Sequence, residues 1–408
     1  MCRAEAMRII SHADLPAAQQ KRADSLMTVR TAENIVRGLR GHSSMIALPQ
    51  EFDEHDLIFG VPGGYVDAEG KLRDPDPGLL LTKCMLLRPD GTRVPKRFIA
   101  QLQRLTNYDD AVFECLRMAL GYTLTGTARE QVFFFLYGAL GGEGKTQLLE
   151  LISLIMGAYA RHAEIETFMD VRGYRRSFDL NDLQGYWFVY GSEAGAHHRW
   201  HETRLKTWTG GERISAEGKF QHGRDFRNRS ALWFAGNHKP RFVDADGAIR
   251  RRLYIFECEI PVPKDVDIRR YSEFLLREEG PYILAWLLEA RADYLKDGLY
   301  LPARMAANRD AYFDMQDKLL GFAQERCSFG AELMVSREVM YLAYRAWCIE
   351  AGLHPESKPE FYRMLENHDG LHKLGVETKQ KRLEPGRATP PTRVVTGIAV
   401  KLFNDEDV

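Results

Sequence analysis

The sequence predicts an α/β fold, on three observations. Four apolar runs of strand length recur in the middle of the chain: Val132–Tyr137, Tyr186–Tyr190, Ala231–Phe234 and Leu253–Phe256. Runs this uniformly apolar suit strands buried on both faces, as in parallel sheets. The first run leads into a glycine-rich turn and then an apolar helix pattern, QLLELISLIMGAY. Strand, glycine turn and helix in that order make a nucleotide-binding α/β unit. The last 80 residues read differently, as two helices followed by a basic hairpin.

The chain has 408 residues, enough for two or three domains with cores that need no staples. Hydrophobic residues make up 45% and charged residues 28%, ordinary values for a soluble globular protein. Lysine and arginine number 56 against 57 acidic residues, a net charge of −1. That balance excludes a uniformly basic coat or a histone-like condenser. It leaves open a locally basic groove, because only the field at the groove matters. Six cysteines form no Cys-x-x-Cys pair, which suits neither a disulfide framework nor a zinc site. The start, MCRAEAMRIISHADLP, lacks the apolar core of a signal peptide, and no apolar run spans a bilayer. A cytoplasmic protein with no membrane partner is expected.

The elements follow in order. Residues 60–78 carry Gly, Pro and Asp punctuation, read as turns between short strands. Residues 109–120 place Val112, Phe113, Leu116 and Leu120 at helical spacing, with Gly121 as a stop. Between 281 and 326 the pattern is helical. SREVMYLAYRAWCIEAG predicts a helix capped by Ser336 and ended by Gly352. SKPEFYRMLENH predicts another, capped by Ser357 with Pro359 in its first turn. The β-branched basic tail would then form the wing of a winged helix.

The chemistry concentrates at four places. Gly141, Gly142, Glu143, Gly144, Lys145, Thr146 and Gln147 form a candidate phosphate loop. Glycines let backbone N–H groups approach phosphate oxygens, and the helix behind aims its dipole at them. Lys145 would reach the β and γ phosphates and Thr146 would ligate magnesium, so ATP and magnesium are the implied cofactors. The usual pattern asks for glycine at 139, where this chain has Ala139, with Gly138 one residue early. Glu193 follows the second strand and is placed to polarise water and hold magnesium, partly through water. A solvated glutamate at a strand end is the plainer alternative. Asn237, after the third strand, can bond both the γ-phosphate and the lytic water; alone, Asn-His-Lys-Pro would be a turn. Arg250, Arg251 and Arg252 precede the fourth strand. One can pair internally while another reaches a neighbour's γ-phosphate as an arginine finger, with a solvated basic run as the alternative.

In order, these segments resemble the superfamily 3 helicases, and within them the phage and plasmid primase–helicase group. FFFLYGALGGEGKT is similar to its Walker A segment, DLNDLQGYWFVYGSE to its Walker B, LKTWTGGERISAEGKF to its B′ motif, ALWFAGNHKPRF to its motif C and DGAIRRRLYIF to its arginine segment. VPKRFIAQLQRL and DDAVFECLRMALGYTLTG resemble the helical region before the motor. No upstream primase module is expected in this chain. The resemblance implies an AAA+-type P-loop motor with an N-terminal helical domain and a C-terminal winged-helix domain. The expected division is 1–107 mixed and helical, 108–265 the motor, 266–328 a helical connector and 329–408 the winged helix.

The resemblance also implies DNA contacts from a B′ hairpin. Thr209–Glu212 reads as a tight turn, and Ile214 to Phe220 as a strand reaching a tip. Lys219 and Phe220 there can pair with phosphate and stack on sugar or base, with His222 beside them. An ordinary hairpin with one exposed lysine is the alternative. Lys206 carries over as a further basic position. Residues 199–252 hold 13 basic side chains against 6 acidic, and residues 372–403 hold 7 against 2. His197, His198 and His201 lack ligands to complete a tetrahedral metal site and read as a loop. Trp187, Trp233 and Phe133–Phe135 read as sheet core rather than stacking platforms.

The activity the resemblance implies is ATP-dependent unwinding by a homo-hexameric ring on single-stranded or forked DNA. It would replicate a phage or mobile element in a bacterial cytoplasm, with a separate primase. The alternatives are an origin-recognition initiator, whose C-terminal domain binds duplex origin DNA, and an ATPase that remodels something other than DNA.

Overall fold

A computed structural model describes residues 16, 21, 24, 28–42, 47–48, 51–170, 180–192, 199–211, 213–216, 224–242, 247–263, 268–314, 317–350, 355–381 and 392–401. The chain divides into two units, Met1–Cys84 and Met85–Val408. The first contains helix α1 (Val29–Leu39) and a small antiparallel sheet of β1 (Phe59–Val61), β2 (Gly64–Val66) and β3 (Leu72–Arg73). The short strands and turns read from 60–78 are those of this sheet.

The second unit is built on a five-stranded sheet. Helices α2 (Lys96–Leu105) and α3 (Asp110–Thr123) lead into it. Its strands are β4 (Phe133–Tyr137), β5 (Ala160–His162), β6 (Phe188–Ser192), β9 (Ala231–Gly236) and β10 (Leu253–Glu257), in the order β10-β4-β9-β6-β5. Every pairing is parallel. Helix α4 (Lys145–Met156) follows β4, and helix α5 (Glu202–Thr209) precedes a hairpin of β7 (Arg213–Ala216) and β8 (Arg224–Arg227). Helix α6 (Gly247–Arg250) precedes β10.

The apolar runs form this sheet because each strand has neighbours on both faces. Phe133 and Phe135 pack edge-on against Trp200 on one face, with Phe234 alongside Phe133. Phe134 stacks on Trp233 at 4.3 Å on the other face, and Trp233 lies parallel to Phe256. Trp187 is also core, wedged so close to Gly126 that a Cβ there would lie 2.3 Å from the indole. The second strand begins two residues later than its apolar run suggests and continues through Gly191 and Ser192, paired residue by residue with β9.

Helix α3 corrects another expectation. Gly121 does not end it; the helix continues to Thr123. A Cβ at Gly121 would come within 2.5 Å of the Ala290 backbone, so the glycine permits close approach of the long helix α7 (Tyr271–Asp297). Beyond α7 come α8 (Ala303–Asp314) and α9 (Lys318–Arg326), the helical stretch expected between 281 and 326.

The end of the chain forms a second core. Strand β11 (Cys327–Ser336), helices α10 (Arg337–Glu350), α11 (Lys358–Glu366) and α12 (Asp369–Lys373), and strands β12 (Glu377–Lys381) and β13 (Thr392–Val400) surround it. The sheet is antiparallel in the order β11-β13-β12. Ser336 accepts from the Val339 N–H as the expected cap, whereas Ser357 caps only by position. Gly352 lies outside the described residues. Strand β11 has no counterpart in the sequence reading. Within it only Cys327 is buried, and a bulge between Phe329 and Met334 breaks its alternation, so main-chain pairing rather than an apolar pattern defines it. Among the described residues no helix is long and apolar enough to cross a membrane.

Candidate active site

The carboxyl ends of β4, β9 and β6 lie side by side, where open parallel sheets bind ligands. The loop after β4 is shaped by glycine. Gly141, Gly142 and Gly144 have φ of 75°, 79° and 92°, a region costly for other residues. Gly144 is the N-cap of α4 and offers no side chain to its first-turn N–H groups. Those donors are left for an anion, which the helix dipole also favours.

The departure at 139 has a structural answer. Ala139 is exposed and does not adopt positive φ. Gly138 is the constrained position, since a Cβ there would lie 2.6 Å from both the Cys258 carbonyl and the Glu143 carboxyl. Its N–H donates to Gly236 O at 3.2 Å, tying the loop to β9.

Lys145 is 5% exposed and its ammonium meets three acceptors. It donates to Gly138 O at 3.2 Å, to Asn237 Oδ1 at 3.0 Å and to the Glu143 carboxylate, with which it forms an ion pair. Glu143 is 1% exposed and also accepts from the Gly141 N–H at 2.9 Å. Burial pushes the Glu143 carboxyl up. The hydrogen bonds from Lys145 and the loop backbone, with the Lys145 charge, outweigh this and hold it below the ordinary carboxylate value. Two residues 92 apart in the chain, Lys145 and Asn237, thus meet at one point.

Thr146 follows Lys145 in the first turn of α4 and is half-buried. Gln147 is turned aside: its amide donates to Glu150 at 2.9 Å and accepts from the Ser272 N–H at 3.0 Å. Its side-chain amide is thus engaged within the chain, while its backbone lies in the first turn of α4. Glu193 lies outside the described residues, immediately after the end of β6.

The three arginines diverge. Arg252 is 8% exposed and donates to Ala248 O at 2.7 Å, Thr209 Oγ1 at 3.2 Å and Gln131 Oε1 at 3.5 Å. Arg250 lies over the Phe313 ring at 5.0 Å. Arg251 is exposed, and among the described residues no side-chain partner holds it. Of the three arginines that could pair internally or project outward, Arg252 is the one hydrogen-bonded inside the chain and Arg251 the one exposed.

Lys206 is half-buried on α5. The hairpin pairs Arg213 with Arg227 through to Ala216 with Arg224. The strand that was to reach Phe220 is described only to Ala216. Lys219, Phe220 and His222 lie outside the described residues, as do His197 and His198. His201 caps α5, its ring accepting from the Arg204 N–H at 3.4 Å.

Two residues escaped the sequence reading. Gln101 and Arg104, on α2, pack against the loop at Gly144. Gln101 lies 43 residues before Gly144, and no spacing rule links them.

Residues 136–252 match a family described as one of unknown function, DUF5906, and residues 315–392 match the poxvirus D5 protein-like family. No curated protein matches the chain. Among solved structures, the A form apo structure of the NrS-1 C-terminal region is similar over 90% of this chain and 90% of that one, at 14% identity and a TM-score of 0.51. The likeness is one of fold. Another apo structure of the NrS-1 C-terminal region covers 76% of this chain and 77% of its own, at 15% identity and a TM-score of 0.48. A JCV helicase bound to an acetamide compound covers 56% and 62%, at 13% identity and a TM-score of 0.31. The last two scores are too low to carry an argument.

Proposed function

We propose that this chain is an ATP-hydrolysing DNA helicase motor of the superfamily 3 type, working as a ring. The observation that carries the reading is the meeting of Lys145 and Asn237 over a glycine loop at the carboxyl edge of a parallel sheet. The residues present fit a phosphate chain. Three glycines open the cradle, the helix cap leaves its donors free, and a lysine and an amide stand at the far end.

In this reading ATP seats its phosphates on the loop N–H groups, and Lys145 exchanges one of its present acceptors for phosphate oxygens. Thr146 would hold magnesium, with Glu193 as a further candidate ligand partly through water, and the ion would supply charge neutralisation for phosphoryl transfer. Asn237 senses the γ-phosphate and orients water. Arg251 reaches the site of a neighbouring subunit, so hydrolysis depends on assembly into a homo-hexamer. Lys219, Phe220 and His222, which fall between β7 and β8 in the sequence, and Lys206 on α5 would contact single-stranded DNA. The test is DNA-stimulated ATPase and fork unwinding by wild type and Lys145→Ala. Loss of both in the variant supports the motor, and unwinding at the wild-type rate would falsify it.

A second role rests on the C-terminal unit. Helices α10, α11 and the short α12 followed by the β12–β13 strand pair, with Lys379 and Arg393 exposed on that pair, support a winged helix that binds duplex origin DNA. Its core is formed wholly by residues 319–398. A fragment of residues 317–401 should therefore fold alone, and its failure to shift any duplex would sink this second role.

A further inference from the structure

The phosphate loop has two unlike ends. A Cβ placed on Gly141 would face Asn237 Nδ2 at 3.6 Å. A Cβ placed on Gly144 would face Arg104 at 3.5 Å, Gln101 at 3.7 Å and Val262 at 3.7 Å. Val262 is tied there by its N–H, which donates to Gly142 O at 2.9 Å. A nucleotide with its terminal phosphate toward Lys145 and Asn237 must leave the loop at the Gly144 end.

That end has unmet polar groups. Gln101 is 1% exposed, and its amide donates to Gly144 O at 3.3 Å while its Oε1 finds no partner. Arg104 Nε is likewise buried without a partner. Buried polar groups left unpaired are costly and uncommon, and a ligand that pairs with them removes the cost. The polarity of these two groups is informative. Gln101 Oε1 needs a donor, which a phosphate group does not have and a base or sugar does. Arg104 Nε needs an acceptor, and its planar guanidinium can lie against a flat ring.

We propose that α2 forms the nucleoside end of the site, with Arg104 contacting the base and sugar of the bound nucleotide and Gln101 positioning the Gly144 peptide beneath them. This rests on the phosphate-loop reading above. The helix before the motor is then part of the nucleotide site, and nucleotide loading is felt directly by α2.

The experiment titrates the full chain with ADP, ATP and inorganic tripolyphosphate by calorimetry, for wild type, Arg104→Ala, Arg104→Lys and Lys145→Ala. Arg104→Ala is expected to weaken ADP and ATP by roughly tenfold or more, the scale of one charged hydrogen bond, and to leave tripolyphosphate unchanged. If Arg104→Ala melts early, Arg104→Lys carries the test, with a smaller loss confined to the nucleotides. ADP bound as tightly as by wild type, or tripolyphosphate weakened equally, overturns the assignment. Lys145→Ala separates the two readings. If it binds tripolyphosphate like wild type, the phosphate-loop reading fails, and the proposal falls with it.

Discussion

Gly138 sits where β4 gives way to the loop, between the Cys258 carbonyl and the Glu143 carboxyl. Gly138→Ala should overpack this junction and cost about 1–3 kcal/mol, read from a denaturant midpoint. Ala139→Gly, one residue on and exposed, should cost well under half of that. Glu143 makes a second prediction, in pH. Its folded pKa lies below the ordinary value of 4.5, so the folded state favours the carboxylate. That contribution is complete above about pH 4.5 and is lost as pH falls through the lower folded value. Glu143→Gln should destabilise the protein at neutral pH, by up to about 3 kcal/mol, because it strips the buried Lys145 of its counter-charge. The gap between variant and wild type should narrow as pH falls below the ordinary carboxylate value of 4.5, and melting curves over the acid limb check it. A constant gap would show that the pair does not set the acid limb.

At the scale of elements, caps and close approaches decide more than propensity does. Asp109 accepts from the Ala111 and Val112 N–H groups at 3.0 and 3.1 Å and so starts α3. Asp109→Ala should cost about 0.5–2 kcal/mol in urea denaturation. An unchanged midpoint would mean that packing of α3 on α7 alone holds the helix. Four strands of the parallel sheet were legible because burial on both faces leaves an unbroken apolar run, whereas the three-residue edge strand β5, largely exposed, carries no such run. Strand β11 was not legible either, since it is mostly exposed and held by backbone pairing. Gly121 misled for a related reason. A glycine that ends a helix and one that admits a second helix look alike in a single sequence, and only the nearby Ala290 backbone distinguishes them.

At the scale of the molecule, the site as proposed is incomplete in one chain. Arg252 is buried and bonded within its own subunit, while Arg251 is exposed. Arg251→Ala should therefore bind ATP with near wild-type affinity yet lose at least tenfold in turnover, the lower range of a missing arginine finger. Mixing it with Lys145→Ala should restore part of the turnover, because each variant supplies what the other lacks. Steady-state ATPase over a range of mixing ratios measures this. No recovery at any ratio would place Arg251 outside the shared site.

The sequence by itself determined the α/β class, the four apolar strands, the glycine loop with Lys145, and Asn237 as a polar group at a strand end. Each is written in local pattern, because burial on both faces and left-handed turns restrict which residues a short segment can hold. The tertiary structure alone decided which of Gly138 and Ala139 is constrained, which arginine is free to point outward, and that Gln101 and Arg104 join the loop. Those outcomes depend on which backbone comes within a few ångströms of which side chain. Such contacts link residues as far apart as Lys145 and Asn237, and only the chain fold sets that distance.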